Sequence, residues 1–161
     1  MADAQARNIV PHSFHSAPYV ELRQSFSSQI QAISPFVEKL MWFILKFRTA
    51  DDIETDIETA LREALANAVI HGNGEDSFKR VHVVCRCYID GEVWITVRDE
   101  GRGFDINTVP DPTEPENRLA PGGRGIYIMQ TLMDEVFFEG GGTIVHLRKK
   151  SNVIGAVSRS A

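Results

Sequence analysis

The chain lacks several features that define common classes of protein. Among its 161 residues only Cys85 and Cys87 are cysteines, so a zinc site with a second cysteine pair is excluded. Its most apolar stretch, residues 36–47, contains three charged side chains and is too short and too charged to span a bilayer. We therefore predict no membrane association, and we predict that both cysteines are small buried groups on one face of a strand.

Dense positive charge is also missing. Lys and Arg form no run, and the formal net charge is −5, which argues against direct binding to nucleic acid through its phosphates. The first residues are not followed by the apolar core of a signal peptide, which indicates a cytoplasmic protein. No Gly-Lys-Ser or Gly-Lys-Thr is present, so a Walker-type phosphate loop is excluded, and no Gly-rich turn opens a dinucleotide-binding βαβ unit.

The composition is that of one globular domain, with 43% hydrophobic and 24% charged residues. We predict a domain over residues 9–150, between flexible tails at 1–8 and 151–161. Helices and strands are segregated along the chain, which predicts an α+β fold: a two-layer sandwich in which about three helices cover one face of a mixed, mostly antiparallel sheet. The predicted elements begin with short strands at 9–14 and 19–22 and with helices from about 34 and over 51–71. A hairpin follows, in which alternate residues from Val81 to Ile89 and from Val93 to Val97 face inward. A long loop over 100–124, a helix over 125–133 and a last hairpin over 136–148 complete the predicted domain.

Three polar residues recur at four-residue spacing on the second predicted helix: Glu63, Asn67 and His71. Each step of four residues turns a helix by only about 40°, so the three share one narrow stripe. The opposite side consists of apolar residues that would hold the helix to the core: Ile57, Leu61 and Leu65. The stripe is either one wall of a site or an ordinary solvated face of an amphipathic helix.

Asp99 continues the two-residue alternation of the inward-facing Val93 to Val97 strand. Its carboxylate should therefore point inward, where an unpaired charge costs several kcal/mol. An inward carboxylate could accept a hydrogen bond from an exocyclic amine such as that of adenine. Alternatively, it caps the turn formed by Glu100 and Gly101, a common role of Asp at the end of a strand.

Two glycine clusters follow Asp99. Gly101 and Gly103 alternate around Arg102, and Gly122-Gly123-Arg124-Gly125 opens the next predicted helix. Glycine lets the backbone approach a ligand closely, and free amides at the start of a helix can bind phosphate.

Together these motifs, in this order, resemble the GHKL (Bergerat-type) ATPases. The segment Glu63 to Gly72 is similar to their asparagine-bearing helix, Asp99 to Phe104 to their adenine-binding turn, and Gly123 to Met129 to their second glycine motif. Within that superfamily the chain most resembles the anti-sigma factor serine kinases, over roughly residues 9–150. The resemblance implies the Bergerat ATP-binding fold.

The resemblance also implies roles for individual residues. Asn67 matches the position that holds magnesium, Glu63 the general base, and Asp99 the carboxylate that reads adenine. Four glycines match backbone positions around adenine and the phosphates: Gly101, Gly103, Gly123 and Gly125. His71 has no firm catalytic counterpart and is interpreted as structural. Pro121 stands where a lid cation is expected, which leaves Arg118 and Arg124 as candidates for contact with the terminal phosphate.

The implied activity is that of an ATP-dependent serine protein kinase that uses Mg²⁺. It would phosphorylate an anti-anti-sigma factor, sequester a sigma factor and act as a homodimer. The alternative is a nucleotide-gated binding module that transfers no phosphate. A detached catalytic domain of a histidine kinase is a third interpretation, but residues 1–50 contain no long pair of dimerisation helices.

Overall fold

The computed structural model describes residues 16–47, 53–110, 114 and 123–151. The predicted strand at 9–14, the tail at 1–8 and all but the first residue of the tail at 151–161 lie outside these ranges. So do Arg118 and Gly122, together with the start that we predicted for the second helix.

Over the described ranges, five strands form one sheet in which each neighbouring pair is antiparallel. Their spatial order is β1-β2-β3-β5-β4. The strands are β1 (Tyr19–Ser27), β2 (Arg80–Tyr88), β3 (Val93–Arg98), β4 (Glu135–Glu139) and β5 (Ile144–Lys149). The α+β prediction is confirmed, and within the described residues the sheet is antiparallel throughout.

Three α-helices pack on one face of this sheet: α1 (Ile33–Phe47), α2 (Glu54–Ala66) and α3 (Arg124–Leu132). Alternate residues of β2 and β3 point toward the helices, among them Cys85 and Cys87, which are buried, as predicted. None of the helices within the described ranges has the length and apolar character needed to cross a membrane.

The first two strands differ from the prediction at their ends. β1 extends to Ser27 because Phe26 is also held by the core, where its ring stacks on that of Phe36 with centroids 4.6 Å apart. Ile89 is 79% exposed, so its assignment to the inner face was wrong. The turn begins one residue earlier than the alternation indicated, since the Gly91 N–H already donates to the Tyr88 carbonyl (2.9 Å).

Candidate functional site

Helix α2 presents Glu63 and Asn67 to a cavity of about 700 Å³ that lies between the helix layer and one end of the sheet. Ile57, Leu61 and Leu65 on the opposite side of the helix are completely buried. This apolar anchor fixes the rotation of the helix about its axis, so the four-residue stripe faces the cavity. The stripe is therefore one wall of a pocket.

The helix does not end at Asn67 but widens into a π-helical turn over Asn67–Gly72. The turn is closed by the Asn73 N–H, which donates to the carbonyl of Ala68, five residues earlier (2.8 Å). Such single turns occur frequently at functional sites. His71 lies on this turn, where it is exposed and lines the cavity, so the structure does not support the structural role that we predicted for it.

Asp99 follows the last residue of β3, and its half-buried side chain lines the same cavity. Its Oδ1 accepts a hydrogen bond from the Gly101 N–H (2.8 Å), and its own N–H donates to the Thr143 carbonyl (3.0 Å). The side chain thus both faces the cavity and caps the turn. Burial raises the pKa of Asp99, while the Gly101 N–H and the positive charge of Lys79 act in the opposite direction.

Gly72 and Gly101 let the turn after Asp99 lie directly on the end of the π-helical turn. A Cβ on Gly72 would collide with the Asp99 carboxylate, and a Cβ on Gly101 would collide with the Gly72 carbonyl oxygen. Gly101 is not among the residues that line the cavity, whereas Gly103 is. In this structure Gly101 therefore supports the turn and does not face the cavity itself.

The amino end of α3 closes the cavity opposite the turn at Asp99. Gly123, Arg124 and Gly125 all line it, and a Cβ on Gly125 would lie 2.7 Å from Glu63 Oε2. The first turn of α3 thus lies so close to Glu63 and Asn67 that a side chain at Gly125 would touch both. Arg124 is exposed at this end of the cavity, in keeping with a role in binding anions.

Apolar residues to which the sequence analysis gave no role in binding form much of the remaining wall. They are Phe104, Ile126, Met129, Phe138 and Val145 together with Val97. The rings of Phe104 and Phe138 meet edge to face, with centroids 5.7 Å apart. The inward phase of Val97 and Val145 was readable from the strand alternation, but the pairing of the two phenylalanines depends on a tertiary contact between the loop after β3 and β4.

The cavity thus has an apolar half that contains one carboxylate, and a polar half with an acid, an amide, a cation and the amides of a helix start. The first half suits a flat aromatic base whose amine needs an acceptor, and the second suits phosphate groups. One cavity provides both environments.

The chain matches the model of the histidine kinase-like ATPase domain over residues 26–149. It is 41% identical over 108 residues to the anti-sigma F factor of Heyndrickxia coagulans, which covers 63% of this chain and 71% of the relative. It is 36% identical over 138 residues to the anti-sigma F factor of Geobacillus stearothermophilus, covering 80% of this chain and 91% of the relative.

A solved structure containing the RsbU and RsbW domains of a Mycobacterium tuberculosis protein has a similar fold. Its TM-score is 0.59 at 22% identity, over 81% of this chain and 32% of that larger chain. At this level of identity the similarity supports the two-layer fold alone.

Proposed function

The chain belongs to the histidine kinase-like ATPase domain family, in the group that contains the anti-sigma F factors, and we propose that it is an ATP-dependent serine kinase that regulates a sigma factor. One observation carries the proposal. Glu63, Asn67 and Asp99 line a single cavity that is closed by the glycine-flanked start of α3. One cavity therefore brings together the residues that we propose to bind the base, the metal ion and the phosphates and to accept the serine proton.

The adenine base of ATP would occupy the half of the cavity at Asp99, between the apolar wall and the π-helical turn. The Asp99 carboxylate would accept a hydrogen bond from the exocyclic amine, using the oxygen that the Gly101 N–H leaves available. The phosphates would then extend toward Gly123 and Gly125, where α3 begins. Arg124 is the described cation at that end, and Arg118, outside the described residues, remains the other candidate for the terminal phosphate.

The residues present are suited to Mg²⁺. Asn67 offers an amide oxygen beside the start of α3, and magnesium typically takes few protein ligands and retains water and phosphate oxygens. Asn67 would hold the ion, which when bound neutralises the charge of the phosphate oxygens. The absence of a side chain at Gly125 keeps the space next to Asn67 open for these groups.

Glu63 would act as the general base. It lies one helical turn before Asn67 on the same face, close enough to the phosphates to accept the proton of an incoming serine hydroxyl. The serine Oγ would form its bond to the γ-phosphorus as the bond from that phosphorus to the bridging oxygen breaks. ADP leaves, and the proton remains on Glu63.

The proposed substrate is a serine of an anti-anti-sigma factor, and the proposed second partner is a sigma factor held by a homodimer of this chain in the cytoplasm. The names of the relatives support the sigma-factor partner. The serine partner and the homodimer are implied by the family resemblance.

Transfer of the γ-phosphate from radiolabelled ATP to the serine partner from the same genome tests the proposal. The wild type is expected to label the partner, and a partner with that serine changed to alanine should stay unlabelled. If the wild type binds ATP and the sigma factor but labels no such partner, the chain is a nucleotide-gated binding module and the kinase assignment is wrong.

A further inference from the structure

Asn73 is a buried amide that takes no part in the proposed reaction. Its side chain is only 3% exposed, although it follows the π-helical turn at a point where the chain could simply leave the helix. The polar atoms of a buried amide nearly always have hydrogen-bond partners. Asn73 has one partner for its oxygen and one for its nitrogen.

One partner of Asn73 begins β2, and the other lies in the turn after β3. Its Oδ1 accepts a hydrogen bond from the Glu100 N–H (2.7 Å), directly after Asp99, and its Nδ2 donates to the Arg80 carbonyl (3.0 Å) at the start of β2. The Glu100 carboxylate completes a ring, because its Oε2 accepts from the Arg80 N–H (3.0 Å). The end of the helix and the ends of two strands are thereby joined through one side chain.

The Glu100 carboxylate is held in its ionised form by this arrangement. The hydrogen bond from His82 (2.9 Å), followed by the bond from the Arg80 N–H, lowers the pKa of Glu100. The three hydrogen bonds of the ring are present in the structure without any ligand.

We infer that Asn73 is a positioning residue that fixes the turn of residues 99–101 and thereby the direction in which Asp99 presents its carboxylate to the base. The contact with the Glu100 N–H holds the centre of this turn against the helix end, and Gly72 and Gly101 allow the two backbones to touch. Without Asn73 the turn would lose its hydrogen bond to the helix end, and it would keep only its internal bond from Gly101 to Asp99 and its bonds to Thr143, Arg80 and His82. This inference rests on the proposed binding of ATP in the cavity.

The direct test compares ligands that occupy different halves of the cavity. Asn73→Ala in the full chain should weaken the affinity for Mg-ATP by about five- to tenfold, the loss expected for one hydrogen bond, and should narrow the preference for ATP over GTP. Its affinity for inorganic tripolyphosphate should stay within twofold of wild type, because Asn67 and α3 are not part of the ring. Ile44→Val, which removes one buried carbon from the core side of α1 and does not touch the cavity, is the control and should change none of the three affinities.

A second variant separates Asn73 from the carboxylate that completes the ring. Glu100→Gln keeps the Glu100 N–H that donates to Asn73 and removes only the charge that accepts from Arg80 and His82, so it should retain most of the preference for ATP. A folded Asn73→Ala protein with wild-type affinity for ATP and unchanged selectivity would overturn the inference. So would a Glu100→Gln protein as impaired as Asn73→Ala, since the role would then belong to the Glu100 carboxylate.

Hydrogen exchange of the wild type provides a test that does not depend on the folding of a variant. The Glu100 amide should exchange slowly in the absence of nucleotide, because the ring is formed without it. Rapid exchange of this amide in the free protein would contradict the inference. If the wild type does not bind ATP at all, the proposed function fails, whereas protection at Glu100 would still show that the ring exists.

Discussion

Replacing Asp99 by Asn should separate recognition of adenine from stability of the fold. Asp99 Oδ1 already accepts the Gly101 N–H at 2.8 Å, so the single oxygen of an Asn side chain would be retained there. The amide NH₂ would then face the exocyclic amine of adenine, donor against donor. A hydrogen bond to a charged acceptor is worth about 1.5–3 kcal/mol, which corresponds to a loss of affinity of about 10- to 150-fold.

The stability of the same variant should not fall. Burial raises the pKa of Asp99 in the folded chain above its unfolded value. The protonated side chain therefore contributes to stability at low pH, and this contribution is lost as the pH rises through the folded pKa. At neutral pH the ionised side chain opposes folding. A neutral Asn removes this penalty and keeps the cap on the turn. The melting temperature at pH 7 should equal or exceed that of the wild type.

Asp90→Asn provides a closely matched control. Asp90 Oδ1 accepts the N–H two residues later, from Glu92 at 3.0 Å, in the same type of turn. It lies at the opposite end of β3, does not line the cavity, and loses the same charge on substitution. Calorimetric titration with Mg-ATP should give wild-type affinity for Asp90→Asn. If a folded Asp99→Asn protein also binds ATP with wild-type affinity, Asp99 does not read the base.

Further predictions concern the chemistry and the closure of the cavity. Glu63→Gln should bind Mg-ATP normally but transfer phosphate about 10²–10⁴-fold more slowly, because Gln cannot accept the serine proton; normal transfer in the radiolabel assay would show that another group is the base. Gly125→Ala should displace the Glu63 carboxylate, since the new methyl group would lie 2.7 Å from Oε2. Transfer should fall by about 10²-fold with no loss of melting temperature, because alanine favours the helix; an unchanged rate would mean that Glu63 is not needed in its present position. As the pH falls through the raised pKa of Asp99, the affinity of the wild type for ATP should fall relative to that of Asp99→Asn. If the ratio of the wild-type affinity to the Asp99→Asn affinity does not change with pH, this prediction is wrong.

Much of the site could be predicted because its residues lie on regular elements. The four-residue spacing of Glu63 and Asn67 and the two-residue phase of Asp99 depend only on helix and strand geometry, and both side chains line the cavity. Ile89 shows the limit of the same rule, since alternation alone does not reveal where a strand gives way to a turn.

The features that the sequence did not reveal depend on distant contacts. In the sequence, Asn73 stands between Gly72 and Gly74, which predicts only that a helix ends there. Its burial is set by Glu100, 27 positions later. The π-helical turn likewise has no local signature, because its wider spacing is stabilised by the packing of the helix end on the turn at residues 99–101.

The π-helical turn also makes the chain length between Asn67 and Asn73 critical. A turn of this kind contains one residue more than an α-helical turn, so loss of a single codon within residues 68–72 would allow a regular helix to form. The residues beyond the deletion would keep nearly their present direction, because the residue removed is the extra one that the π-helical turn accommodates. Insertion of one residue has no such compensation and would rotate Gly72 and Asn73 by about 100°, so that Gly72 would no longer lie under Asp99 and Asn73 would point away from Glu100. In this segment an in-frame insertion should therefore harm nucleotide recognition more than a deletion does.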